Sequence, residues 1–415
     1  MRKPCDCKGY RAGVTESTDV TARSSAPDTD RLPDELPDAE AVEAAEAAEL
    51  EEVYPRKVLF VAGAGRSGTS TLAGLVRILG LHVPQPEVTA DETNPKGFGE
   101  PAWAVEFHTE LLRKAGVQVS DARPAAWFKT SQVGGRERPR GAAAAWLEQH
   151  FAEASELVVK DPRLAWFLTM WEVAAVRSSA TPVFATMLRP PSEVVASKET
   201  YYANRLGSAH LAASWVNMML HTERATRAHV DNGGRVFVRY ADLLDDWTKT
   251  VMHVGETLQL QHILHAGTET IREGHRFVDP GLRRMSRSLD DLGLPKRLHE
   301  IVAESWEGLD RLAEPGGDTA DVHRTLDQLR DGYSELYEEA EAISRSSAVA
   351  ARSAASEQLA GAEKEAERVE RKAERPGGNA GQGPADPADR IPHRVRAMVP
   401  ASLRRRLRQR WARRA

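Results

Sequence analysis

Apolar residues in this chain gather in short runs that alternate with longer stretches of helical spacing. Lys57-Val58-Leu59-Phe60-Val61-Ala62 is a β-branched run that stops at Gly63, the pattern of a strand buried on both faces. Leu157-Val158-Val159, Val183–Leu188 and Arg235–Arg239 repeat it. Between these runs, Leu72, Leu75, Val76 and Leu79 recur at helical spacing within 71–80, and similar patterns cover 165–175, 211–229 and 247–258. Strands alternating with helices predict βαβ units, hence a three-layer α/β fold with a mostly parallel central sheet. Ligands of such sheets bind beyond the carboxyl ends of the strands.

The pattern fails at both ends. Residues 1–54 form an acidic leader, with Pro, Ser, Thr and Asp in its first half and an Ala-rich stretch from Asp38 to Glu52. Its apolar surface is too small to offset the entropy of ordering, so disorder is expected. The folded domain is placed at 55–310 and a helical extension at 311–375. Within the extension, Leu326, Leu329, Tyr333 and Leu336 form the stripe of an amphipathic helix over Val322–Ser344. Residues 348–374, rich in Ala, Glu, Lys and Arg, continue as helix or weak coiled coil, with a stripe too thin to specify an oligomer. A Gly/Pro linker at 376–389 leads to a basic amphipathic tail at 390–415.

Composition refines this outline. The 415-residue chain has 41% hydrophobic residues, just under the globular norm, which fits a partly unpacked chain. Its net charge of -5 conceals segregation, because ten arginines and no acid lie between Arg390 and Ala415. The two cysteines, Cys5 and Cys7, exclude a disulfide framework and make a poor zinc site, so no metal ligand set is expected. No apolar run approaches the ~18–20 residues of a membrane span, and the first residues lack the apolar core of a secretory signal. A cytoplasmic protein is expected, and the high Ala, Arg and Gly usage suggests a GC-rich bacterial genome.

Candidate chemistry begins with Gly63-Ala64-Gly65-Arg66-Ser67-Gly68-Thr69-Ser70-Thr71, set between a strand and a helix. Small residues let the backbone wrap an anion, and the amides and dipole of the helix N-terminus then point at it. Hydroxyls of Ser70 and Thr71 add donors. A nucleoside-triphosphatase loop would place Lys after the second Gly, yet Thr69 stands there and the cation has moved to Arg66. That spelling weakens a kinase reading.

The loop resembles instead the 5′-phosphosulfate loop of sulfotransferases, in the Arg form common among carbohydrate and tyrosylprotein sulfotransferases. Arg189-Pro190-Pro191-Ser192-Glu193-Val194-Val195-Ala196-Ser197 resembles that family's 3′-phosphate motif, an Arg ending a strand with a Ser eight residues on. Tyr240, in Val238-Arg239-Tyr240-Ala241-Asp242, resembles a family Tyr beside the adenine, with Ala241 departing from the usual Glu. The resemblance covers about residues 57–285. It implies a P-loop-like fold, 3′-phosphoadenosine-5′-phosphosulfate as co-substrate with no metal required, and a hydroxyl acceptor. It further implies cofactor binding by Arg66, Ser67, Gly68, Thr69, Ser70, Thr71, Arg189, Ser197 and Tyr240.

Sulfuryl transfer is an in-line displacement that needs positive charge on the leaving phosphate and a base on the acceptor hydroxyl. Arg66 is the natural leaving-group stabiliser. Glu100, at the end of Asn94-Pro95-Lys96-Gly97-Phe98-Gly99, resembles the family's Glu base; a helix-start carboxylate facing the dipole is the plain alternative. His108 is the rival base. Lys160-Asp161-Pro162-Arg163 resembles a motif of bacterial and carbohydrate sulfotransferases, with Lys160 assisting the sulfuryl group and Asp161 orienting the cations. Lys129-Thr130 is a weaker match to a cytosolic-enzyme segment, and Arg283 with Arg284 are candidates to close over the 3′-phosphate.

Two other readings stand beside this one: a P-loop kinase or nucleotidase, and a non-catalytic adaptor built on a relic nucleotide fold. The family lean for the acceptor is a carbohydrate or glycolipid. The tail 390–415, with Trp411 among its arginines, suits an anionic membrane surface, peripheral to the inner face, and equally a non-specific contact with nucleic acid or a polyanionic substrate; no specific nucleic acid is expected.

Overall fold

The computed structural model describes residues 55–91, 96–201, 206–279, 281 and 287–374. The leader, Cys5 and Cys7, Asn94 and Pro95, Arg283 and Arg284, the linker and the basic tail lie outside the described residues. Four strands, β1 (Lys57–Ala62), β2 (Glu156–Lys160), β3 (Thr181–Leu188) and β4 (Arg235–Arg239), form one sheet in the order β2-β1-β3-β4. Every pairing is parallel, with Phe60 opposite both Val159 and Phe184. The chain leaves β1 toward one neighbour and returns to the other, so the sheet switches direction at β1 and β3. That is where a parallel sheet opens a crevice at its carboxyl ends.

Both faces of the sheet are covered, as the continuous apolar runs require. Val58, Phe60 and Ala62 enter one core cluster, whose Phe60 stacks on Phe184 at 5.4 Å and meets Trp171 at 5.8 Å. Leu59 and Val61 enter the other, with Leu72, Leu75 and Val76 of α1 (Thr69–Ile78). The first layer is built by α2 (Ala102–Ala115), α3 (Ala126–Gly134), α4 (Glu137–His150), α5 (Leu168–Arg177), α6 (Pro191–Tyr201) and α7 (Ser208–Thr226). Short helices α8 (Tyr240–Asp245) and α10 (Gln261–Leu264) join α9 (Trp247–Leu258) and α11 (Thr268–Phe277) against the other face.

Helix α12 (Lys296–Arg311) then leads into α13 (Ala320–Glu374), 55 residues long. The core does not stop at residue 310. Leu326, Leu329 and Tyr333 of α13 belong to the main cluster, and a Cβ on Gly308 would approach Leu326 to 2.7 Å. Arg235 pairs with Asp318, and Arg227 bridges Glu223 to Asp327. Only past about residue 337 is α13 exposed on every face, with Ile343, Val349 and Leu359 open to solvent. The two helices expected over 322–344 and 348–374 are one, because no Pro interrupts them. Among the described residues no helix is long and apolar enough to cross a membrane.

Candidate active site

The turn from β1 into α1 is shaped by backbone conformations with positive φ. Gly63 (φ 138°) and Gly68 (φ 93°) flank Arg66, itself at φ 77°. Such a conformation costs a side-chain-bearing residue about 1–3 kcal/mol and persists where surrounding contacts impose it. Gly68 is also sterically required, since a Cβ there would fall 2.2 Å from the Tyr240 ring. The loop is closed by Ser67 N–H donating to the Ala64 carbonyl at 3.1 Å. Ser67 is fully buried, and its Oγ has no hydrogen-bond partner. A buried hydroxyl without a partner is rare in folded proteins. One standing in a wrapped Gly-rich loop at a helix N-terminus fits an anion-binding donor.

Strand β3 pairs directly with β1, so Arg189, just past its end, lies beside this loop. Its Nε donates to Glu193 Oε2 at 2.9 Å, one helical turn on, and its Nη1 donates to the Arg66 carbonyl at 3.1 Å. These bonds use two of the five guanidinium N–H groups and fix the plane of the fork. The guanidinium stands 5.0 Å over the Tyr240 ring. Arg66 reaches back across the gap, its Nε donating to Ser197 Oγ at 3.1 Å. Motifs more than 120 residues apart are thus tied at two points.

Tyr240 packs on the loop: Gly68 lies on its ring edge and Arg189 over its face. Burial pushes its phenol up. In this setting it supports Arg189 and the loop.

A second network approaches the loop from the β2 side. Lys160, 2% exposed at the end of β2, donates to Ser70 Oγ at 3.0 Å, the Phe98 carbonyl at 3.1 Å and Glu100 Oε1 at 2.5 Å. Glu100 therefore accepts from Lys160, while the position before α2 is Pro101, which makes no side-chain capping bond. Burial pushes the Glu100 carboxyl above its ordinary value, and the Lys160 ammonium only partly opposes this.

His108 occupies a different place. Its Nε2 accepts from Trp171 Nε1 at 2.7 Å, and its Nδ1 lies 2.7 Å from Asp161 Oδ2. An indole N–H can only donate, so Nδ1 carries the ring proton and donates to Asp161. Both nitrogens are used and the ring is fully buried. Asp161 also accepts from the Arg163 backbone and Nη1, at 3.1 and 2.7 Å. Burial alone would raise its carboxyl, but the bonds from His108 and the charge of Arg163 outweigh that and hold it low. Asp161 was expected to orient both Lys160 and Arg163; its bonds go to Arg163 and His108 instead.

Two further placements differ from expectation. Lys129 and Thr130 lie inside α3, where Thr130 is buried and donates to the Ala126 carbonyl, away from any strand end. Lys198, unremarked in the sequence, is buried beside Ser197; it donates to Ser120 Oγ at 3.2 Å, and burial draws its ammonium down to about 8. A lysine at the end of a short helix reads as a surface residue until α7 covers it.

Fold and site together define an α/β protein with a cation-lined anion cradle at the carboxyl ends of β1 and β3. No protein-family model and no curated protein matches the chain. Among solved structures it is similar to the sulfotransferase domain of the Synechococcus PCC 7002 olefin synthase, at 15% identity over 68% of this chain and 97% of that one, with a TM-score of 0.34. It is likewise similar to sulfotransferase STF1 from Mycobacterium tuberculosis H37Rv (18% identity, 65% and 81% covered, TM-score 0.33). A third is the sulfotransferase domain of the curacin biosynthetic pathway (14% identity, 66% and 97% covered, TM-score 0.31).

Proposed function

We propose that this chain is a sulfotransferase that moves a sulfuryl group from 3′-phosphoadenosine-5′-phosphosulfate to a hydroxyl, with a carbohydrate or glycolipid as acceptor. The observation that carries the reading is the double tie between Arg66 and the Arg189–Ser197 segment, which makes two anion motifs one cradle. A donor with phosphate at both 3′ and 5′ positions asks for two such subsites. Loop amides, Ser67 Oγ and Arg66 serve the 5′ end, and Arg189 serves the 3′-phosphate.

In the reaction the acceptor oxygen attacks sulfur while the bond from sulfur to the 5′-phosphate oxygen breaks. The proton passes from the acceptor hydroxyl to Glu100, and adenosine 3′,5′-bisphosphate leaves. Arg66 and the helix dipole of α1 stabilise charge gathering on the leaving phosphate. Lys160 holds Glu100 against the loop through Ser70, so base and leaving group share one rigid network. Glu100 is the base in preference to His108, whose two nitrogens already have partners.

Isothermal titration of the full chain decides between this reading and a kinase. Adenosine 3′,5′-bisphosphate should bind in EDTA, and more tightly than ATP does with Mg²⁺. Binding of ATP with Mg²⁺ alone would overturn the sulfotransferase reading, and binding of neither would favour a relic fold.

A further inference from the structure

At the amino end of the sheet, opposite the cradle, two imidazoles and a carboxylate converge. His82 follows α1 and is pinned beside β2: its N–H donates to the Glu156 carbonyl at 3.0 Å, and Val158 N–H donates to its own carbonyl at 2.8 Å. His150 is the last residue of α4, and Glu153 follows one turn later, with its N–H on the His150 carbonyl at 3.0 Å. His82 Nε2 lies 3.3 Å from one Glu153 oxygen, and His150 Nδ1 lies 3.7 Å from the other. One ligand atom from each residue falls within 4.8 Å of the other two.

Those separations are close enough for a small rotation of the half-exposed Glu153 to bring the three groups onto one ion. Bonds of about 2.0–2.1 Å in a tetrahedral site place neighbouring ligand atoms about 3.3–3.4 Å apart. Both His82 Nε2 and His150 Nδ1 are buried without a hydrogen-bond partner. Chains normally satisfy such atoms, and here two point into one gap. Trp146 packs edge-on against the His150 ring at 4.9 Å, giving the site an apolar backing. Glu153 is half exposed and free to adjust.

We propose that His82, His150 and Glu153 bind a divalent transition-metal ion of the zinc class, with the fourth position open to water. Two imidazoles and one carboxylate are a borderline nitrogen/oxygen set, suited to zinc rather than to magnesium or calcium. The ion would staple the turn after α1 to the turn before β2, at the end of the sheet opposite the cradle.

The test uses the full chain, stripped with a chelator and titrated with Co²⁺ as the visible probe. One equivalent should bind with the strong visible absorption of tetrahedral cobalt, be displaced by Zn²⁺, and raise the thermal midpoint. Glu153→Ala, at a half-exposed position, and His82→Ala should each weaken binding by about tenfold or more, at least the effect of losing an outer-shell partner. A Cys5→Ser, Cys7→Ser double variant should bind as the parent does. No binding by the parent chain would overturn the proposal, as would binding that survives both ligand substitutions or disappears with the cysteines.

Discussion

At the residue scale, the site is a study in which polar groups are already used. Glu100 and His108 lie in the same neighbourhood, yet only Glu100 has a carboxyl raised by burial and a partner that leads to the loop. Glu100→Gln should lower kcat by about 10²–10⁴-fold, the usual worth of a positioned base. The base acts deprotonated, so activity should rise with pH through its raised value. The acid limb of kcat/KM should therefore lie above the ordinary glutamate range near ~4.3 and vanish from the residual activity of Glu100→Gln. A limb unmoved by the substitution would assign the base elsewhere. His108→Ala, by contrast, leaves Asp161 and Trp171 short of partners inside the core. It should destabilise the fold by about 1–3 kcal/mol or more while costing the folded enzyme far less than Glu100→Gln. Thermal melts paired with active-site titration separate the two effects.

The Gly-rich loop was legible from its place between a strand and a helix, and the Arg189–Ser197 segment was singled out by its resemblance to a family motif. Residue roles were not legible where partners come from distant elements. Nothing around Lys160 in sequence announces Ser70 and Glu100 as its ligands, and nothing marks Tyr240 as a prop for Arg189. His150-x-x-Glu153 was a readable pair, but its third member, His82, lies 68 residues earlier and is brought in only by pairing with β2.

At the element scale, the strands were the most readable feature, because burial on both faces demands unbroken apolar runs. The runs at 57–62 and 235–239 match β1 and β4 residue for residue, and 247–258 matches α9. Helices α3 and α4 were missed. Their segment holds Gly134-Gly135 and Pro139 among charged residues, which reads as a loop. Pro139 in fact sits in the first turn of α4, where a helix has no use for its missing N–H.

The extension was foreseen as helix, but its docking was not, since the stripe over 326–336 does not say what it packs against. That docking is testable. Leu326 is fully buried against Gly308, so Leu326→Ala should cost about 2–5 kcal/mol. Among the described residues, a stop after residue 345 removes helix that is almost entirely exposed, and it should leave the denaturation midpoint nearly unchanged. A substitution without effect, or a truncation that unfolds the domain, would place the core boundary elsewhere.

At the scale of the whole molecule, the polarity of the sheet separates the two proposed sites. Strand carboxyl ends carry the loop, Arg189 and Lys160, where the proposed sulfuryl transfer takes place. The amino ends carry the histidine–glutamate cluster, where β2 is tied to the preceding turn. The long helix projects from the first layer with its outer half uncovered, beyond the reach of either site.

The central claim is that one cradle grips two phosphates, Arg189 taking the one on the 3′ position. It is tested most directly by comparing adenosine 3′,5′-bisphosphate with adenosine 5′-monophosphate on the parent chain and on Arg189→Ala. The parent should prefer the bisphosphate, and the variant should lose about 10–100-fold of that preference, the worth of charged hydrogen bonds of about 1.5–3 kcal/mol, while binding the monophosphate as before. Equal affinity of the parent for both nucleotides, or a preference that survives Arg189→Ala, would contradict the account.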